Sequence, residues 1–502
     1  MNFLVKEIII DVGINETRAG ILEDKKLSEI YIETPSNERL VGNIYVGKVC
    51  SVLPGMQAAF VDIGYEKNAF LYVGDAISQS LFHEDDDIVH ENGKQFRNID
   101  DILSPGQEIT VQVIKEPVGT KGPRVTTHLT LPGRHFVLLP NADYIGISRR
   151  IGNEKERESL RELASSIKPE GMGLIVRTAS EGKTFDDFNN DIKFLLSLWE
   201  KIKNKKLKGA VPRCIHKDLN LIYRAVRDMF TWDVDKFIIN DRQEYLKVLE
   251  LVDIIMPALK SRVEHFTGKY DLFEYYGIDE SINEALVRKV WLKCGGYLII
   301  DHTEALTVID VNTGKFVGTK NLEETVLKTN IDAAKEIAKQ LRLRDIGGII
   351  IIDFIDMHER ENQQTVIDVL KQSLRNDRTK TSVLGITGLG LIEMTRKKVR
   401  HELFSILCTD CPKCHGTGKI LSPDAIARKI GKEIEKFFMH SIAKEIEVKL
   451  SDSIAEYFLA NYDKILDEIQ KKHSKKVHVK PSEAFKYDEI KIKEIDRNSY
   501  VC

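Results

Sequence analysis

Two aspartates and an asparagine stand where short apolar runs end. One run reads Glu304-Ala-Leu-Thr-Val-Ile-Asp-Val-Asn-Thr-Gly314, the other Gly347-Gly-Ile-Ile-Ile-Ile-Asp-Phe-Ile-Asp-Met357. Asp310, Asn312 and Asp353 are the residues that could do chemistry there. Ionised aspartates held close together repel unless a cation or a shared proton intervenes. An all-oxygen ligand set with open positions suits Mg²⁺, which keeps several waters and takes phosphate as a further ligand. The alternative is a pair of satisfied structural acids at strand ends.

The elements that must position them are legible in the same stretch. Ala305–Val311 and Ile349–Ile355 are β-branched and glycine-bounded, the pattern of buried strands. Between them, Asn321-Leu-Glu-Glu324 has the form of a capping box, and Val326, Ala333, Ala334, Ile337 and Leu341 recur at helical spacing. A strand-helix-strand unit of this kind makes the two strands parallel near neighbours, so both aspartates are expected at one sheet edge. Side chains alternate along a strand, so Asn312 is expected to point with Asp310.

Other chemistry is scattered along the chain. Cys411-Pro-Lys-Cys-His-Gly-Thr-Gly418 offers Cys411 and Cys414 as two thiolates of a tetrahedral Zn²⁺ site, with Cys408 and His415 as candidates for the remaining ligands. Arg177-Thr178 pairs a guanidinium fork with a hydroxyl, a combination suited to a terminal phosphate but common in itself. Phe60 and Phe70 lie on short glycine-punctuated strands that suggest a small barrel, where such rings either fill the core or stack bases outside it. The basic run Lys201–Lys208 reads first as a solvated helix end and second as an RNA-steering patch.

A chain of 502 residues implies several domains. A net charge of -3 does not advertise a nucleic-acid binder, although local clusters rather than the total govern phosphate affinity. No apolar run reaches the roughly 20 residues of a membrane span, and no export signal opens the chain, so a cytoplasmic protein is expected. Seven cysteines without framework spacing argue for reduced thiols.

The words TEALTVIDVNTGKFVG, NLEETVLKTNIDAAKEIAKQLRLRDIGGIIIIDFIDM and CPKCHGTGK, in this order, resemble the ribonuclease E/G family of endoribonucleases. Weaker likeness reaches back to Met1. The resemblance implies an α/β multidomain fold: an RNase H-like domain (residues 1–37, completed by 213–284), an inserted S1-type OB barrel (38–130) and a 5′-sensor region (131–212). A DNase-I-like catalytic α/β domain (285–400), a zinc-link (401–420) and a small C-terminal domain (421–502) would follow. Asp11 then belongs to scaffold. Within 213–284, Asn220–Val226 and Lys236–Asn240 are read as strands, and after Gly418 the chain is read as helical over Asp424–His440 and Ile454–Lys472 and then basic. The acidic stretch of about 75–101 departs from the family barrel and reads as a solvated loop.

The resemblance further implies Mg²⁺ on Asp310 and Asp353 with Asn312 positioning it, and Phe60, Phe70 and Lys115 as RNA contacts. It implies a 5′-monophosphate pocket of Arg177 and Thr178 with Gly133 and Val137 on its wall. An arginine that supports this pocket in the family is Lys380 here, which keeps the charge but loses the fork. Cys411 and Cys414 would share one Zn²⁺ with the same pair of a second subunit, giving a homodimer or tetramer. The expected activity is hydrolysis of single-stranded RNA, in mRNA decay or maturation of rRNA precursors, leaving 5′-phosphate and 3′-hydroxyl ends. The chain is expected to be the compact, ribonuclease-G-like form, without the scaffolding extension that larger members use to reach other enzymes and the membrane. An inactive RNA-binding assembly factor and a DNA-directed metal phosphodiesterase are the alternatives. The intact acid set speaks against the first, and a single-strand-type barrel against the second.

Overall fold

The computed structural model describes residues 4–35, 39–76, 98–117, 121–181, 183, 185–207, 209–315 and 322–495. It divides into two units, residues 1–406 and 407–502.

In the first unit, Lys6–Val12 is the middle strand of a five-stranded sheet, flanked by Thr17–Glu23 and then Lys26–Glu33 on one side. On its other side it pairs in parallel with Lys236–Ile239, which is followed by Val263–His265. The sheet is thus closed by residues more than two hundred positions downstream. The stretch Asn220–Val226, expected as a strand, is instead helical: Leu221–Arg224 is an α turn that passes into a π turn at Ala225–Met229. The Asn220 side chain caps it by accepting from the Tyr223 amide at 3.0 Å. Leu221, Ile222, Ala225, Val226, Met229 and Phe230 are all buried, and that spacing is helical rather than alternating.

Inserted between these strands is a closed five-stranded, OB-like barrel. Ile44–Leu53, Ala58–Asp62, Ala69–Tyr72, Arg124–Thr126 and Glu108–Lys115 pair in that order, and Glu108–Lys115 pairs back to Ile44–Leu53. Ala59, Val61, Ala69, Leu71, Val111, Val113 and Val125 point inward and are fully buried. Gly47 lets the first strand serve both neighbours, since a Cβ there would come within 2.6 Å of the Asp62 carbonyl. Residues 77–97 of the acidic stretch lie outside the described residues. Its ends are not a solvated loop: Val73–Ala76 and Ile99–Ile102 are short helices, and Ile99 and Leu103 join the barrel core.

A four-stranded sheet follows, in the order Ile145–Ile147, Gly173–Val176, Phe136–Leu139, Leu131–Pro132. Helices Glu154–Ile167 and Phe185–Lys206 pack with it in one core, and the second helix carries most of the expected basic run. Lys208 lies outside the described residues.

The last sheet of this unit has six strands, ordered Lys289–Trp291, Tyr297–His302, Leu306–Asn312, Gly348–Asp353, Ile392–Arg396 and Thr381–Ile386. Leu298, Ile300, Ile309, Val311, Ile350, Ile352 and Met394 face helices Leu322–Leu343 and Arg360–Leu374 across one core. The opposite face carries Trp291, Asp310, Ile349 and Asp353, all exposed. Asn321, the expected cap of the first helix, lies outside the described residues. At the far end of that helix Arg342 reaches Glu23 at 2.7 Å and Glu29 at 2.9 Å, tying it to the N-terminal strands.

The second unit has its own core. Helices Pro423–His440 and Asp452–His473 cover one face of a three-stranded sheet ordered Lys476–Pro481, Glu445–Leu450, Lys491–Glu494. Both expected helices form; the sheet was not anticipated, because Glu445–Leu450 between the helices and the basic stretch after them are strands. Among the described residues no helix is long and apolar enough to cross a membrane.

Candidate active site and nucleic-acid interface

Leu306–Asn312 and Gly348–Asp353 run parallel, and their register sets Leu306 against Ile349 and Asp310 against Asp353. The two carboxylates are neighbours on the open face. Asn312, two residues on, donates from Nδ2 to Asp310 Oδ2 at 2.8 Å. Partial burial, then the charges of Asp310 and Asp356, raise the Asp353 carboxyl above the usual carboxylate range. Asp356 is therefore a further acid near the site; it stands in the sequence three residues after Asp353 without any feature to single it out. The chain that follows Asp353 is held by the buried Asn330, whose amide donates to the Ile355 carbonyl at 2.8 Å and accepts from the Ile355 amide at 3.1 Å.

Among the described residues, no three His, Cys, Asp or Glu side chains gather as a closed metal cage. Two exposed, mutually repelling carboxylates still fit Mg²⁺, which binds through one or two carboxylates and keeps water in its other positions.

On the barrel, Phe60 and Phe70 pair across neighbouring strands, their ring centroids 6.0 Å apart at 68°. Both are half-buried and neither belongs to the barrel core, because the inward positions alternate with them. The register continues from Phe70 to Arg124 and from Arg124 to the exposed Lys115. Two rings and two cations thus form one row across the barrel's outer surface. Arg124 was not singled out from the sequence; Asp75 anchors it at 2.9 and 2.7 Å, a partner 49 residues away.

Arg177 follows the strand Gly173–Val176, and Thr178 begins a 3₁₀ turn. The Arg177 guanidinium donates to the Gly133 carbonyl and to Asp228 Oδ1, the latter at 2.8 Å. Asp228 also binds Arg227 at 2.8 Å. Burial pushes the Asp228 carboxyl up, but Arg227 and then Arg177 hold it below its ordinary range. Asp228 escaped sequence reasoning: it lies in the π turn just beyond the stretch expected as a strand, and no local pattern links it to Arg177. Arg177, Thr178, Arg378 and Lys380 all line one cavity of about 820 Å³. Gly133 and Val137, expected on the pocket wall, are not among its lining residues, although the Gly133 carbonyl accepts from Arg177. Gly133 has no room for a Cβ, which would meet the Asp191 carboxylate at 2.6 Å, and Val137 is paired within the sheet to Pro132 and Ile175.

In the second unit Cys411 is exposed and Cys414 partly so. The His415 amide donates to the Cys411 carbonyl at 2.8 Å, and His415, Gly416 and Gly418 all have positive φ, which coils the segment into a knuckle. Backbone amides of Cys414 and Lys413, together with the Cys414 side chain, hold the Cys411 thiol below its usual range. Cys408 and His415 do not gather with them into a closed set.

A paired-carboxylate edge and an OB-like barrel with an aromatic, basic outer row are the candidate functional features of this α/β protein. A model of the ribonuclease E/G family matches residues 130–399, and one of the RNase E/G thioredoxin-like domain matches residues 410–495. Ribonuclease G of Haemophilus influenzae is 41% identical over 490 residues, covering 97% of this chain and 99% of its own. Ribonuclease G of Escherichia coli (strain K12) is 40% identical over 93% of this chain and 95% of its own. Ribonuclease E of Haemophilus influenzae is 38% identical over 93% of this chain but only 50% of its own. The chain belongs to the ribonuclease E/G family.

Proposed function

We propose that this protein is an endoribonuclease that hydrolyses single-stranded RNA with Mg²⁺, leaving 5′-phosphate and 3′-hydroxyl ends, in rRNA processing and mRNA decay. The observation that carries the reading is the parallel register setting Asp310 against Asp353, with Asn312 bonded to Asp310. Family membership and the near full-length likeness to proteins named ribonuclease G support it.

Asp310 and Asp353 would hold the metal. Bound there, Mg²⁺ supplies a Lewis acid for a phosphate oxygen and lowers the pKa of water. Asn312 fixes the rotamer of Asp310 through its amide, so one carboxylate is oriented before substrate arrives. Phe60 and Phe70 present rings to bases, and Lys115 and Arg124 present charge to the backbone. Arg177 and Thr178 would receive a 5′-monophosphate. Asp228 holds the Arg177 fork in place, and Lys380 adds charge to the same cavity. Cys411 and Cys414 would hold Zn²⁺ jointly with a second copy of the chain.

The test is incubation of the purified protein and its Asp310→Asn form with 5′-monophosphorylated single-stranded RNA, with and without Mg²⁺. Cleavage by the parent alone, with 5′-phosphate on the downstream product, supports the reading. Equal cleavage by both proteins defeats it.

A further inference from the structure

The open face of the catalytic sheet carries a second aromatic group that none of the roles above uses. Trp291 pairs in register with Tyr297, and Tyr297 with Asn312, on three adjacent antiparallel strands. Residues in register share a face, so Trp291, Tyr297 and Asn312 form one row on the side of the sheet away from its helices. Lys289, Ile299, Asp310 and Asp353 form the next. Trp291 is therefore two strand spacings, about 10 Å, from Asn312.

The arrangement is fixed and open. The Trp291 and Tyr297 rings meet edge to face, with centroids 5.5 Å apart at 68°. The Lys289 ammonium lies 4.0 Å from the Trp291 centroid and 3.7 Å from that of Tyr297. Among the described residues Lys289 makes no ion pair, and the two rings meet its charge. Gly314, with φ +59°, closes the turn after Asn312; a Cβ there would lie 3.2 Å from the Tyr297 ring and 2.6 Å from the Gly295 carbonyl. Tyr297 is thus packed against the segment that carries Asn312. Trp291 nevertheless remains 56% exposed on an edge strand, a large apolar surface left in water.

The geometry points to a base-stacking platform: Trp291 and Tyr297 hold one nucleobase of single-stranded RNA next to the scissile phosphate, and the Lys289 ammonium meets that nucleotide's backbone. This rests on the reading that Asp310 and Asp353 mark the cleavage site. Rings accept any base by its π face, and the Lys289 ammonium, with no carboxylate partner among the described residues, is available to a phosphodiester. The barrel row around Phe60 engages the strand separately, so the platform adds a contact whose effect depends on the nucleotide at the cut.

The experiment uses full-length protein and a 5′-hydroxyl single-stranded RNA whose cleavage position has been mapped, together with strands carrying an abasic residue on either side of the cut. Trp291→Ala should raise KM about tenfold, the size of one base–aromatic stack, and Trp291→Phe should restore most of it. An abasic residue at the stacked position should impose a similar loss on the parent and no further loss on Trp291→Ala. In the Asp310→Asn background, binding of uncut RNA should fall by the same factor on adding Trp291→Ala. Equal responses of parent and Trp291→Ala to every abasic strand would overturn the platform. So would a change confined to melting temperature, or a loss of mass in solution marking Trp291 as a contact between copies. If Asp310→Asn cuts as well as the parent, the cleavage reading falls, and with it the placement of the platform beside the cut, even where Trp291→Ala still weakens binding.

Discussion

Two pairs of aspartates, one on strands of the last sheet of the first unit and one in the connections that lead into it, are treated in opposite ways. Asp345 and Asp377 are buried and share Arg396, which reaches each at 2.7 Å, while Arg400 adds a second contact to Asp345. Asp310 and Asp353 are exposed, sit side by side, and have no cationic partner among the described residues. Arg396 and Asp353 occupy opposite ends of neighbouring strands, since Arg396 pairs with Gly348. An acid that serves packing is given a guanidinium. On the proposed reading, an acid that serves chemistry is left next to another acid, and a bound cation would supply the positive charge.

Removing a charge from each pair separates the two roles most sharply. Asp310→Asn or Asp353→Asn should lower cleavage by at least about three orders of magnitude while leaving the urea midpoint and RNA affinity in place. Near-normal turnover in either at saturating Mg²⁺ would dismiss the site. Asp377→Asn should do the reverse: a loss of about 3–5 kcal/mol in urea unfolding, from leaving Arg396 buried and half-paired, with activity per folded molecule retained. An unchanged midpoint would mean that the buried pair contributes little.

The thiols of the second unit extend the contrast, because Cys411 and Cys414 would also make an incomplete ligand set for the proposed zinc. Serine at both positions should yield monomers with little zinc, while the parent should carry one zinc per two chains. Zinc analysis alongside mass in solution decides this, and one zinc per monomer would point to completion by Cys408 and His415.

Smaller effects are expected where contacts are many. Phe60→Ala should weaken RNA binding by about 1–3 kcal/mol, and Lys115→Ala should reduce the slope of log affinity against log salt by about 0.7. A Phe60→Ala protein that unfolds without a separate binding defect would return the ring to the core. The smallest effect concerns the 5′ end. The parent should cut 5′-monophosphorylated RNA faster than the 5′-hydroxyl form, and Arg177→Ala should erase that difference without slowing the latter. The preference should be modest, because Lys380 offers a point charge where a fork would bind two oxygens. Equal losses on both substrates would give Arg177 a role in folding instead.

Much of the catalytic edge was legible because its signal is local. The runs ending at Asp310 and Asp353 and the helical spacing between them make parallel neighbouring strands that carry both acids to one sheet edge; the register that sets them side by side comes from the structure. The barrel was legible from its short glycine-punctuated strands, apart from Arg124–Thr126, and alternation along the strands explains why Phe60 and Phe70 face outward. What escaped depends on distant partners or on ambiguous periods. Leu221-Ile222 and Ala225-Val226 are apolar doublets that fit a strand over seven residues and a helix only when Met229 and Phe230 are counted. Arg124 and Asp228 take their meaning from Asp75 and Arg177, positions that no local pattern links to them. The strands after His473 hide because their exposed face is mostly lysine, so only Val477, Val479 and Ile492 mark the inner side.

The parallel pairing of the first strand with Lys236–Ile239 also has a consequence in time. Val12 finds its side-chain partner Asn240 across 228 residues. At roughly 5–20 residues per second, a ribosome takes on the order of ten to forty-five seconds to deliver that partner. Throughout that interval the antiparallel strands 6–33 have a free edge along Lys6–Val12, with Ile8, Ile9 and Ile10 waiting for cover. The inserted barrel and the sheet after it have their own cores and can form during the wait, drawing the ends of a long loop together before the last strand arrives. The newborn chain is therefore most open to mispairing at its N-terminal edge, and a chaperone that shelters a growing chain has its clearest task there.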